Sequence, residues 1–65
     1  MNNYQVTKTK LRSHAEYVKV LYKGDKPAIR QSINDYTDMI SKEYDLSEYQ
    51  RNLLSNYACT LHPKN

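Results

Sequence analysis

Apolar residues recur through the middle of this chain with a helical beat. Ile29, Ile33, Tyr36, Ile40 and Tyr44 follow one another at steps of four, three, four and four, which at about 100° per residue gathers all five into one stripe. Gln31, Asn34, Asp35, Asp38 and Lys42 take the other side, so the segment is amphipathic, with one face turned to a core. Its start is well marked. Gly24 turns the chain, Asp25 can cap the first turn, and Pro27 sits where its missing N–H costs nothing. The spacing predicts a helix over 27–43.

Upstream, Leu11, Ala15, Val18 and Tyr22, flanked by His14 and Leu21, form a second stripe. Two starts compete for it: Thr9 ahead of Lys10 and Leu11, or Ser13 with Glu16 three residues on, the spacing of a capping box. The earlier start keeps Leu11 inside the helix, which is then expected over 9–23. The run Tyr17 to Tyr22 also has strand character, being rich in β-branched and aromatic residues ahead of a turn-like Lys23-Gly24-Asp25. Its one pairing candidate is Tyr4 to Lys8, and a lone two-stranded hairpin is marginal in water. Helix is therefore the better reading of 16–22.

Downstream, Tyr44-Asp45-Leu46 breaks the rhythm, and Ser47-Glu48-Tyr49-Gln50 opens a third helix with capping-box spacing and an acid near its N-terminus. Leu46, Leu53, Leu54, Tyr57 and Leu61 share a face until Pro63 ends the helix, which is expected over 48–61. Short connections favour antiparallel neighbours. The expected fold is all-α: one domain spanning 1–65, a compact three-helix bundle, with 1–7 and 62–65 as flexible ends.

A chain of 65 residues buries only about 60% of its unfolded surface, so the core is thin. Cys59 is the only cysteine, so no intrachain disulfide reinforces it. No apolar run approaches the roughly 20 residues of a membrane span, nor the core of a signal peptide. We therefore expect a cytoplasmic protein with no membrane partner. The seven tyrosines, against no phenylalanine or tryptophan, suit a small core whose hydroxyls reach the rim, and they also suit a contact surface.

Charge divides the chain. Residues 1–30 carry Lys8, Lys10, Arg12, Lys19, Lys23, Lys26 and Arg30 against Glu16 and Asp25, whereas 31–65 carry Lys42, Arg51 and Lys64 against Asp35, Asp38, Glu43, Asp45 and Glu48. Such a split bears on partners and encounter rates rather than on fold. Lys8, Arg12, Lys19 and Lys23 fall on one side of the first helix, with Lys26 and Arg30 following across the turn, a row that could track a phosphate backbone. Glu16 lies in the same row and can pair with Arg12 and Lys19, as on an ordinary soluble helix.

The inventory for catalysis is poor. Cys59 and His62 are three apart and could form half of a zinc site or a His-activated thiol, but only His14 remains as a further nitrogen donor. Asp35 and Asp38 are a solvated pair with no apolar pocket to raise either pKa. A single glycine excludes a phosphate-binding loop. We expect no enzyme, no cofactor and no metal. The expected function is that of a small protein-binding module, an adaptor or inhibitor acting on a larger host protein in the manner of many products of phages and mobile elements. Tyr17, Lys19, Val20, Asp35 and Asp38 are its candidate contacts. The alternative is a nucleic-acid-binding accessory or transcription modulator using Lys8, Lys10, Arg12, Lys19, Lys23, Lys26 and Arg30 on phosphates. Homodimerisation stays open, since a second copy could complete so thin a core.

Overall fold

The computed structural model describes residues 2–64. Three helices follow one another, α1 (Asn3–Leu21), α2 (Lys26–Glu43) and α3 (Glu48–Leu61), and each packs on the other two. Leu11, Ala15 and Val18 of α1 meet Ile29, Ile33 and Ile40 of α2 and Leu54 and Ala58 of α3, with Leu46 sealing the corner before α3. This is the three-helix bundle expected from the periodicity. The segment 16–22 is helical through Leu21, so the strand alternative falls.

α1 begins six residues before the expected position 9. The Asn2 side chain caps it, accepting from the Gln5 N–H at 2.9 Å. The apolar stripe also runs further back than Leu11: Tyr4 packs against the core, and Thr7 is fully buried with its hydroxyl donating to the Tyr4 carbonyl at 2.8 Å. Tyr4, Thr7, Leu11, Ala15 and Val18 thus form one row at helical spacing, with threonine disguised as a polar break. Residues 3–7, expected as part of a flexible end, are helix. At the other end His62 caps α3 and Pro63 is half-buried. Met1 and Asn65, the outer limits of the two expected flexible ends, lie outside the described residues.

The connections follow local chemistry. Gly24 takes φ 86°, the left-handed region, and Asp25 caps α2 by accepting from the Ala28 N–H at 3.2 Å. α2 ends in a Schellman motif: Leu46 N–H donates to the Ser41 carbonyl at 3.0 Å and Asp45 N–H to Lys42 at 3.2 Å. The left-handed position of this motif, normally glycine, is Asp45 at φ 50°. Leu46 is thereby driven into the core. The box at the start of α3 is reciprocal, Ser47 Oγ accepting from Gln50 N–H and Gln50 Oε1 from Ser47 N–H, both at 3.2 Å.

Two stability measurements follow. Asn2→Ala removes a cap and is expected to cost about 0.5–2 kcal/mol in chemical denaturation; no change would mean that the first turn of α1 contributes nothing. Asp45→Gly relieves a left-handed side chain and is expected to stabilise by up to about 1 kcal/mol. A loss of stability would show that the aspartate does more than occupy the turn.

Candidate functional site

The bundle has three faces, one along each pair of helices. On the α1/α2 face His14 spans the seam. Its ring stacks on Tyr36 with centroids 4.0 Å apart and planes at 7°, its Nε2 shares a 3.1 Å hydrogen bond with Ser32 Oγ, and Tyr17 stands 6.4 Å away. Beside this seam the apolar surface stays open: Tyr17 is 61% exposed, Leu21 53% and Met39 51%. Leu21 follows Tyr17 by one turn, and Met39 follows Tyr36 by three residues, so both extend the same face. The core stripe of the first helix is expected from sequence to reach Tyr22, with Leu21 at its flank, yet both residues are exposed. α3 has 14 residues against 19 in α1 and ends before it can cover that turn.

The five contact residues expected from sequence do not form one surface. Tyr17 lies on the α1/α2 face, and Asp35 lines a shallow hollow of about 340 Å3 there with Tyr22, Ala28, Gln31 and Ser32. Asp38 lines the α2/α3 groove instead and pairs with Lys42 at 3.1 Å. Lys19, two residues past Tyr17, points some 200° away toward the α3 side, and Val20 stands alone on the outer surface, 79% exposed. Sequence reasoning did not single out Leu21 and Met39, which the structure leaves exposed beside the seam. The signal was a second apolar row, Tyr17 and Leu21, running just outside the Leu11-Ala15-Val18 stripe.

On the α1/α3 face Lys8 is half-buried, its Nζ 4.8 Å from the Tyr57 ring centre. Arg12, Lys19 and Lys23 continue along that side, and Glu16 makes no ion pair with Arg12 or Lys19 among the described residues. Lys10 leaves this row, because its position on the helix turns it to the α2 side. Arg30 leaves it too: its charge acts on His62, which lines the α2/α3 groove. Lys26 opens α2, exposed. The seven cations named for phosphate contact are therefore spread over three faces.

The α2/α3 groove holds a hollow of about 500 Å3, with Asn34, Asp38, Arg51, Ser55, Cys59 and His62 among its walls. Its polar groups are largely answered from within. His62 Nε2 lies 2.8 Å from Asn34 Oδ1, Arg51 Nε donates to the Leu46 carbonyl at 3.2 Å, and the buried Thr37 and Ser41 hydroxyls donate to helix carbonyls at 2.7 Å. No described buried side-chain N or O atom lacks a partner. Cys59 and His62 share this groove but His14 sits across α2 on Ser32, so the three donors do not converge, and no described group of three His, Cys, Asp or Glu could hold a metal. No described helix is long and apolar enough to cross a membrane.

No protein-family model, curated protein or solved structure matches this chain.

Burial lowers the pKa of His14 below its ordinary 6.5, against the opposing pull of the Ser32 contact; burial and then the Arg30 charge lower that of His62. The folded state thus holds fewer imidazole protons than the unfolded chain. Its stability is complete above about pH 6.5 and is lost as pH falls through the folded-state values. Urea midpoints should therefore drop between about pH 7.5 and about pH 5, and drop less in His14→Asn. Equal pH dependence in the two proteins would show that His14 is as hydrated folded as unfolded.

Proposed function

We propose that this protein is a non-enzymatic protein-binding module that docks through its α1/α2 face. The observation that carries the reading is the exposed apolar row of Tyr17 and Leu21 beside Tyr36 and Met39. Surface apolar residues on a monomer are usually scattered singly, and a contiguous set framed by polar groups marks a contact site. Here the frame carries charge. Asp35 accepts from the Gln31 side chain at 2.9 Å and, like Lys10, has no ion pair among the described residues. Such charges steer an encounter and set its orientation, while Tyr17 and Leu21 supply the desolvated centre. The partner in this reading is a larger protein with an apolar groove or ridge of matching length.

A second reading rests on Arg12 and Lys19, which with Lys8 run along about 16 Å of α1, and on Lys23 in the turn that follows. It ranks below the first because Lys8 is already held over Tyr57 and Glu16 interrupts the row.

Both readings are separated by two double variants, Leu21→Ser with Met39→Ser and Lys19→Glu with Lys23→Glu. In quantitative capture from the source lysate, the first pair should lose the wild-type partner by roughly tenfold or more, and the second pair should keep it. Retention by the Leu21/Met39 variant overturns the docking reading. Binding to a random-sequence duplex that weakens steeply with salt, and vanishes in the Lys19/Lys23 variant, would put the phosphate reading in its place.

A further inference from the structure

The outward row of α1 can be followed along its length. Val6, Lys10, Ser13, Tyr17 and Leu21 succeed one another at steps of four, three, four and four, which keeps them within about 80° of arc on the side of α1 that its own bundle leaves open. Val6 is half-buried and the other four are exposed. Turned end for end, this row meets itself with apolar residues at both ends and a cation opposite an aromatic ring. Laid antiparallel on itself about a point between Ser13 and His14, it sets Val6 against Leu21, Lys10 against Tyr17, and Ser13 against His14, and each pairing occurs twice.

We infer that the occupant of this face is a second copy of the chain, with the two α1 helices packed antiparallel about a two-fold axis beside Ser13 and His14. The inference rests on reading the α1/α2 face as a docking surface and names what covers it. An isologous contact demands that if residue i meets j, then j meets i, so each favourable pairing in this register occurs twice. Here apolar meets apolar at the ends, and a cation meets an aromatic ring between centre and end. The chain makes the second kind of contact within itself, between Lys8 and Tyr57. Lys10 is available for it, having no ion pair among the described residues and no carboxylate three or four places away on α1.

Charge also fixes the direction. A parallel pairing in register would set Lys10 against Lys10 and leave Tyr17 without a cation, whereas the antiparallel one separates the two lysines by about 10 Å along the axis. α2 joins the contact from the side. The Asn3 amide reaches the Tyr44 carbonyl at 3.3 Å and His14 reaches Tyr36, so α1 and α2 run antiparallel with residue numbers at one level adding to about 48. Met39 therefore stands level with Lys10, and the copy's Tyr17 arrives between a thioether and an ammonium group, both suited to an aromatic ring. Self-association covers the apolar row when no other protein does, and a heterologous partner competes with it by mass action.

The test uses the full chain alone. Sedimentation from micromolar to millimolar concentration should show a reversible monomer–dimer equilibrium. Leu21→Glu should weaken it by roughly tenfold or more while leaving the helical circular dichroism intact, since Leu21 lies outside the core. Register is read by disulfide trapping in a Cys59→Ser background, mixing a Lys10→Cys chain with a Tyr17→Cys chain under mild oxidation. The mixed 10–17 disulfide should exceed either self-disulfide. A monomer at every concentration overturns the inference, as does a dimer untouched by Leu21→Glu or one in which Lys10→Cys links mainly to itself. None of these outcomes depends on a lysate partner, so failure here is separate from failure of the docking reading, which capture by the Leu21/Met39 variant decides.

Discussion

Leu11, Ile33 and Leu54, one from each helix, are completely removed from solvent, and the bundle depends on their meeting. Each is the centre of its helix's apolar stripe, so bringing the three together sets the rotation of every helix about its own axis. Once those rotations are set, the fate of every other side chain follows from its angle to the stripe. Ala15 and Ala58 let the backbones approach, and Val18, Ile29, Ile40 and Leu46 fill the remaining space. A core of this size leaves little surplus stability, which makes the caps and turn motifs of the helix ends a large part of what holds the molecule in one state.

The three faces differ because the helices differ in length and in what borders each stripe. Between α2 and α3 the border residues are short and polar, and they satisfy one another: Asn34 with His62, Asp38 with Lys42, Arg51 with the chain before α3. Between α1 and α3 the long Lys8 side chain lies over the Tyr57 ring. Between α1 and α2 the border is apolar and uncovered, with Tyr17, Leu21 and Met39 all exposed. That contrast, more than any single residue, directs attention to this face.

His14 links the interior to that face. Its ring is sandwiched into the α1/α2 seam by Tyr36 and Ser32 while its edge borders Tyr17. The same burial that disfavours its protonation sets its ring against the aromatic residues of the seam. Stability of the seam and the apolar character of the surface beside it are in this way properties of one cluster.

Helix existence, order and approximate ends were legible from sequence because apolar spacing and capping chemistry are local: Ile29 to Tyr44, Asp25 with Pro27, and Ser47 with Gln50 act within a turn or two. The start of α1 was not, because Thr7 is polar by type and becomes core only when α1 finds its neighbours; its hydroxyl is satisfied by Tyr4 and its burial by the other helices. Asp45 hid the Schellman turn by occupying the place where glycine is usual. The candidate contacts fared less well. Tyr17 and Asp35 share a face, but Lys19, Val20 and Asp38 were scattered, and Lys10 and Arg30 parted from the other cations, because the side to which a residue at the edge of a stripe belongs is set by which neighbour lies there. Sequence by itself determined three amphipathic helices and their apolar stripes, which arise from periodicity within each segment. Only the tertiary structure decided which stripe edges were covered and which were left open, because coverage depends on the relative lengths and rotations of helices distant in sequence.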